Sequence, residues 1–410
     1  MTRTADDRTL RNRRMKWWRE ARYGLFIHYN VFSLWQDKDY AVANQATMSK
    51  DEFNRVRAAK LQPQKAAVRE WCEVAKAAGM KYAVLTTKHS DAFPLWDSKV
   101  NPYNAVRYGP KRDIVREFVR ACHDNGLKVG FYYCLRDLHH GLIEAARTDE
   151  AARQGILRYT KGLLRELMTQ YGKVSVLWYD EPCPMGYGCE WDSEAINRMV
   201  RSYQPGILIN DRSLTWQDFT CSEGHITATN YPDLDWEACM TFNGTWAWHP
   251  KKKSEYHTPQ KMLDMLWQCI AGGGNFLLNV GPNPYDGRIS RLEVERLRTV
   301  GQWLKRHGPA AYGPNDRSWG LNQTKVPAEA KWTRHGNDAY LWLFRWPGKA
   351  EVTLSNVHAK VARCSLLTTG RPLAFVQKDD RVVIRGLPRA CPDKVCGVAV
   401  LKVQFASYPR

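Results

Sequence analysis

The chain contains no run approaching the roughly 20 consecutive apolar residues that a membrane-spanning helix needs, which excludes a helical span from expectation. Its opening segment, Met1 to Arg14, is charged and has no apolar stretch, so no secretory signal is read there. A soluble protein is expected, cytoplasmic or, with a signal removed, secreted or periplasmic. Metal-ligand spacing is also missing. Cys183 with Cys189 and Cys391 with Cys396 are close in sequence, but neither spacing is a zinc pattern and no histidine flanks them. The 11 cysteines are odd in number, and Cys72, Cys122 and Cys269 fall in stretches that read as core-packed helices, so mostly reduced, buried thiols are expected. Acidic residues are scarce: 42 Asp and Glu face 61 Lys and Arg, a net charge of +19. Lys251-Lys252-Lys253 is the tight basic cluster, and no nucleic-acid module stands behind the charge, so nucleic acid is not an expected partner. A dispersed positive field suits acidic partners such as sulfated or carboxylated glycans.

Against these absences stands Val174-Ser175-Val176-Leu177-Trp178-Tyr179-Asp180-Glu181-Pro182. Val174 to Trp178 lack polar alternation, as in a parallel strand covered on both faces. Pro182 forbids further ladder pairing, so the strand delivers a carboxylate at its end. In a parallel barrel that end is where chemistry is kept.

The same unit recurs along the chain. Tyr23 to Tyr29 reads as an apolar strand ending in His28. Pro63 opens a helix to about 78, with Val68, Trp71, Cys72 and Ala75 on one face and Gly79 as its stop. The strand 82–87 follows, then Lys88 and His89. Helices over 112–125, about 150–171, 193–203, 258–271 and about 290–307 lead to, or follow, strands at 129–133, 174–180, 207–212 and 275–280, with a long irregular stretch before 258. His28, His89, Tyr133, Asp180, Arg212 and Asn279 all fall at strand ends, which favours a closed barrel over an open sheet, because a barrel gathers every such end at one mouth. From about 315 the pattern changes to short alternating runs, such as 339–344, 351–354, 381–384 and 397–403, separated by turn residues. The expected architecture is therefore α/β: a flexible arm over 1–14, a (β/α)8-like TIM barrel over 15–314 and a C-terminal antiparallel β-sandwich over 315–410.

Asp180 requires a carboxylic partner if it is to attack a glycosidic carbon, and two glutamates in the irregular stretch qualify. Glu223 follows the strand that ends at Arg212. Glu237 lies beside Trp236, where an apolar neighbour raises a carboxyl pKa as an acid requires. Arg212 can hold Asp180 ionised. His28 and His89 can donate to hydroxyls, while Tyr133 and Trp178 stand near the same mouth. The loop tryptophans Trp35, Trp96, Trp191, Trp246 and Trp248 suit stacking on sugar faces.

Phe26-Ile27-His28, Leu85-Thr86-Thr87-Lys88-His89, Gly109-Pro110-Lys111-Arg112-Asp113, Leu177-Trp178-Tyr179-Asp180, Asn210-Asp211-Arg212 and Gly273-Gly274-Asn275-Phe276-Leu277-Leu278-Asn279-Val280-Gly281-Pro282 closely resemble the alpha-L-fucosidases of glycoside hydrolase family 29, in that family's order. The resemblance implies a retaining glycosidase with a barrel and a C-terminal sandwich, no metal and no cofactor. It implies Asp180 as nucleophile, favours Glu223 over Glu237 as acid/base, and points to an oligosaccharide or glycoconjugate substrate. The chain departs from the family in the sugar pocket. His89-Ser90-Asp91-Ala92-Phe93 stands where paired histidines and Asp-Gly-Phe are usual, Tyr29 where Trp is usual, and Asp39-Tyr40 where a Glu-Trp pair is usual. These groups hold fucose hydroxyls in the family, so L-fucose is the first expected sugar and a related one, such as an alpha-L-galactoside, the second. A catalytically lapsed glycan-binding protein is a third reading.

Overall fold

The computed structural model describes residues 5–36, 50–137, 142–181, 191–226, 234–249, 256–316, 324–327 and 329–408. Asp39, Tyr40, Pro182, Cys183, Cys189 and the Lys251-Lys252-Lys253 cluster lie outside them.

Eight parallel strands make one curled sheet: β1 (Tyr23–Ile27), β2 (Tyr82–Lys88), β3 (Lys128–Cys134), β4 (Val176–Asp180), β5 (Leu208–Ile209), β6 (Thr220–Glu223), β7 (Trp236–Thr241) and β8 (Asn275–Val280). They hydrogen-bond in the order β5-β4-β3-β2-β1-β8-β7-β6. A parallel bridge between Asn210 and Phe219 joins the two ends, so the sheet closes into a barrel, as expected. Two of the strands come from the stretch read as irregular. β6 and β7 are short, and the polar Thr220-Cys221-Ser222-Glu223 carries no apolar run, so periodicity had little to register there.

The helices are α1 (Ala5–Ala21), α2 (Lys50–Ala59), α3 (Lys65–Ala77), α4 (Ile114–Asp124), α5 (Leu142–Ala146), α6 (Glu150–Gln170), α7 (Ser193–Tyr203), α8 (Pro259–Ala271) and α9 (Arg291–Ala311). In α3 the buried Val68, Trp71, Cys72 and Ala75 form one face, and Gly79 ends the helix at φ 85°. The α4 cap is the Asp113 carboxylate, which accepts from the Arg116 N–H. A Ser290/Glu293 capping box starts α9, which continues past Gly308 and through Pro309 to Ala311, beyond the stop that the glycine suggested. Gly301 lets α9 lie directly on α3: a Cβ there would fall 1.7 Å from the Ala77 carbonyl oxygen.

The flexible arm expected over 1–14 is corrected by α1, which is helical from Ala5. Its charges are used rather than solvated. Arg11 Nη2 lies 2.5 Å from Asp235 Oδ2, and Arg14 Nη2 lies 2.7 Å from Asp218 Oδ1. Met15 and Trp18 then close the amino-terminal end of the barrel, with Trp18 against Phe219 at 5.0 Å between ring centroids.

The second sheet is antiparallel: β9 (Ala330–His335), β10 (Asp338–Leu343), β11 (Glu351–Leu354), β12 (Val361–Leu366), β13 (Arg371–Lys378), β14 (Arg381–Arg385) and β15 (Ala399–Phe405), in the order β11-β14-β13-β12-β15-β10-β9. Alternating residues such as Leu341, Leu343, Val352, Leu354, Val382, Ile384, Leu401 and Val403 share a core of their own, so the sheet folds over itself as a sandwich. The opposite face turns Tyr340, Trp342 and Val400 towards the barrel, where Trp303 of α9 meets Trp342 at 4.9 Å and donates to the Val398 carbonyl at 2.7 Å.

The nine described cysteines are free thiols, and Cys72 and Cys122 touch at 3.6 Å between sulfurs. Among the described residues no helix is long and apolar enough to cross a membrane.

Candidate active site

Because the strands are parallel, their carboxyl ends meet on one side of the barrel, and there the described residues enclose a cavity of about 160 Å³. Phe26, His28, Phe32, His89, Trp178, Asp180, Glu181, Glu223, Cys239 and Trp246 line it. A larger cavity of about 720 Å³ touches Arg22, Asp235 and Gly273. Those residues precede β1, β7 and β8, so it lies at the opposite end of the barrel from the strand-end groups.

Asp180 ends β4, and Glu181 turns the chain aside at φ 52°, a left-handed conformation uncommon outside glycine and costly enough to need support from its surroundings. Both Asp180 oxygens are held. Arg212 Nη1 donates to Oδ1 at 2.5 Å, and the Tyr132 hydroxyl donates to Oδ2 at 2.7 Å. Burial pushes this carboxyl up, but Arg212, the Tyr132 hydroxyl and the Glu181 N–H together leave it below the ordinary carboxylate range.

Glu223 ends β6, within the stretch read as irregular. Its Oε2 lies 2.6 Å from Arg212 Nη2. One guanidinium therefore carries both acids, Asp180 on Nη1 and Glu223 on Nη2. The two terminal nitrogens of a planar guanidinium are about 2.3 Å apart, so the two bound oxygens can be no more than about 7.4 Å from each other. Arg212 in turn sits over the Trp178 ring, 4.9 Å from its centroid.

The two histidines present opposite faces. Asn279 Nδ2 donates to the Trp246 carbonyl at 2.7 Å, which leaves Asn279 Oδ1 as acceptor, 2.5 Å from His28 Nδ1. His28 thus carries its proton on Nδ1 and has Nε2 as a lone-pair acceptor. His89 Nδ1 accepts from the Ser90 N–H at 2.8 Å, so its proton is on Nε2, a donor. Burial pulls His28 down to about 4 and His89 to about 3, against weaker upward pulls from Asp180, so both rings are neutral near pH 7. Phe32 and Tyr132 stack on the two sides of the His89 ring at 4.6 and 5.3 Å.

Two expected site residues are elsewhere. Tyr133 points outward into the layer between sheet and helices, with Lys88 Nζ 5.0 Å from its ring centroid. Side chains alternate along a strand, so its neighbour Tyr132 faces the mouth instead. Glu237 is the second residue of β7, near the amino-terminal end of the barrel. It accepts from Trp178 Nε1 at 3.0 Å and from the Tyr82 hydroxyl. Burial raises it to about 7 despite those bonds, as its apolar setting suggested, but it cannot reach the mouth. Glu223, not Glu237, is the carboxylate that shares Arg212 with Asp180. Of the loop tryptophans, Trp96 and Trp191 are fully buried core residues, whereas Trp246 lines the cavity. Sequence reasoning missed Tyr132, Phe26, Phe32 and Cys239. The period of two was the available signal, but Val129 to Cys134 is buried on both faces and shows no phase. Among the described residues no group of three or more His, Cys, Asp or Glu side chains is placed to hold a metal ion.

A sequence model described as alpha-L-fucosidase matches residues 2–309. Human plasma alpha-L-fucosidase (Homo sapiens) is 29% identical over 411 residues, covering 91% of this chain and 85% of that protein. Alpha-L-fucosidase isoenzyme 1 from Paenibacillus thiaminolyticus shares the whole architecture, with a TM-score of 0.84 and 28% identity over 97% of this chain and 100% of its own. A family 29 alpha-L-fucosidase from Bacteroides thetaiotaomicron, solved as a trapped covalent intermediate with 2-fluoro-fucosyl fluoride, has the same fold at a TM-score of 0.82 and 24% identity, covering 96% of each chain. With a match that spans nearly all of the barrel and a fold shared over almost the full length, the chain belongs to the alpha-L-fucosidase family.

Proposed function

We propose that the protein is a retaining exo-glycosidase that releases a terminal L-fucose-type sugar from an oligosaccharide or glycoconjugate by double displacement. The observation that carries this is the pair of carboxylates, Asp180 and Glu223, brought to one guanidinium at the carboxyl ends of β4 and β6. Their oxygens, no more than about 7.4 Å apart, are close enough to flank one glycosidic bond, within the range that glycosidase carboxyl pairs span.

Asp180, kept ionised, attacks the anomeric carbon while Glu223 gives its proton to the departing glycosidic oxygen. The glycosyl ester on Asp180 then breaks as water attacks the same carbon and returns a proton to Glu223. The Bacteroides relative trapped as a covalent intermediate supports this course. His28 Nε2 accepts from one sugar hydroxyl and His89 Nε2–H donates to another. The wall made by Phe26, Phe32, Cys239 and Trp246 suits a ring bearing a methyl group, and the small cavity suits removal of one terminal residue. The net charge of +19 favours anionic aglycones, such as sulfated or carboxylated glycans.

A panel of nitrophenyl glycosides, with the first-formed anomer followed by NMR, tests the reading. Cleavage of the alpha-L-fucoside with retained configuration is expected. An inverted product would overturn the mechanism, and cleavage of an alpha-L-galactoside in preference to the fucoside would reassign the sugar.

A further inference from the structure

Glu237 is a buried acid that the mechanism above does not use. β7 turns its side chain into the barrel interior, where it is 1% exposed and each oxygen takes a hydrogen bond. These donors come from other strands, the Tyr82 hydroxyl from β2 and the Trp178 indole N–H from β4, the latter at 3.0 Å, and the Trp18 side chain of α1 faces the same carboxyl. Trp178 underlies the reacting carboxylate. Its ring carries the Arg212 guanidinium at 4.9 Å, stacks on Tyr132 at 5.8 Å with planes 16° apart, and packs on Phe26 at 5.1 Å. Arg212 and Tyr132 are the two groups that hold the two oxygens of Asp180. Everything that orients Asp180 from the side chains therefore rests on one indole, and the only polar atom of that indole is bonded to Glu237.

We propose that Glu237 is a positioning residue for the glycosidase reaction: it fixes the rotation of Trp178, and through Trp178 the placement of Arg212, Tyr132 and the attacking oxygen of Asp180. The proposal rests on the assignment of Asp180 as nucleophile. Burial makes the link effective, because a buried indole N–H that loses its acceptor is left unsatisfied in a low-dielectric interior, where each hydrogen bond counts for more. The other titratable groups facing Glu237 are the Tyr82 hydroxyl on β2, the Cys221 thiol on β6, the Cys239 thiol on β7 itself and the Cys269 thiol on α8.

The test uses the full chain in four forms: wild type, Glu237→Leu, Glu237→Gln and Tyr82→Phe. Glu237→Leu removes the acceptor at similar volume. Turnover of nitrophenyl alpha-L-fucoside should fall on the order of tenfold to 10²-fold with KM little changed, because a small misplacement of a reacting atom acts on the chemical step. The rate of covalent trapping by a 2-fluoro-fucosyl fluoride should fall by the same factor. Glu237→Gln, which keeps a carbonyl for the indole, should recover most of the loss. Tyr82→Phe, which removes the other donor, should leave turnover near wild type. Wild-type turnover in Glu237→Leu, or an equal loss in Glu237→Gln, would overturn the proposal. A crystal structure of Glu237→Leu decides the matter independently of activity, and of the Gln form if Leu does not fold. Arg212 and Tyr132 still bracketing Asp180 in the Leu form, or displaced in the Gln form, would also overturn it. An inactive wild type would count against the proposed function instead, and the structural comparison would still stand.

Discussion

Asp180 has no free oxygen in the resting site, since Arg212 and Tyr132 each hold one, and its ionised state follows from that double engagement. Asp180→Asn should lower turnover on the order of 10³-fold or more and abolish covalent trapping by a 2-fluoro sugar; turnover equal to wild type would remove Asp180 from the mechanism. Glu223→Gln should behave differently. Its loss, on the order of 10²–10⁴-fold, should appear with poor leaving groups and shrink sharply with glycosyl fluorides or dinitrophenyl glycosides, which need no proton. A uniform loss across leaving groups would exclude Glu223 as the acid. His28 gives a pH prediction. Its folded pKa of about 4 lies below the ordinary histidine value of 6.5, so the unfolded chain binds the proton more readily. The stabilisation by the neutral ring is complete above about 6.5 and is lost as pH falls through 4, a difference of a few kcal/mol at most. A plot of Tm against pH should therefore be flatter between those values in His28→Gln than in wild type. At this scale the sequence was readable wherever a charged or polar residue interrupted an apolar strand, as at His28, His89, Asp180 and Arg212. It was unreadable where the choice lay between two aromatic neighbours, Tyr132 and Tyr133, because both faces of β3 are buried and the pattern carries no phase.

Among the elements, the weakest seam of the barrel is between β5 and β6, where the Asn210–Phe219 bridge stands in place of a ladder. Asp218, whose side chain is fully buried, holds this seam. It accepts from the Ile209 N–H at 3.0 Å and pairs with Arg14 of α1 at 2.7 Å and Arg201 of α7 at 2.8 Å. Asp218→Ala leaves those cations without their acid and should cost about 3–5 kcal/mol, read as a lowered denaturation midpoint. A change below about 1 kcal/mol would show that the seam is held by packing instead. The contact of α9 on α3 depends on Gly301 in a different way. Any Cβ at that position meets the Ala77 carbonyl oxygen, so even alanine should cost about 1–3 kcal/mol through forced separation of the helices. The long helices and apolar strands were legible because each satisfies its own periodicity. β6, β7 and α1 were not, since their stability comes from partners distant in sequence: β8 beside β7, and Asp218 and Asp235 beside the arginines of α1.

At the scale of the whole molecule, a net charge of +19 acts over distances set by ionic strength. If anionic aglycones are preferred, kcat/KM for a sulfated or carboxylated substrate should fall several-fold on raising salt from about 0.05 to 0.2 M, while a neutral nitrophenyl glycoside should change little. Equal responses would place the charge outside substrate capture. The order of apolar strands and amphipathic helices, with polar residues recurring at strand ends, determined a closed parallel barrel with a mouth, because local periodicity and the handedness of crossovers leave few other solutions. The alternating runs after 315 determined an antiparallel sheet in the same way. Tertiary structure alone decided which of Glu223 and Glu237 faces that mouth. Glu223 ends its strand and Glu237 lies second in its own, and neither strand was visible until β8 and the Asn210–Phe219 bridge held them in register. A residue's type is written in the chain, but which end of a barrel it occupies depends on pairing with strands far away in sequence.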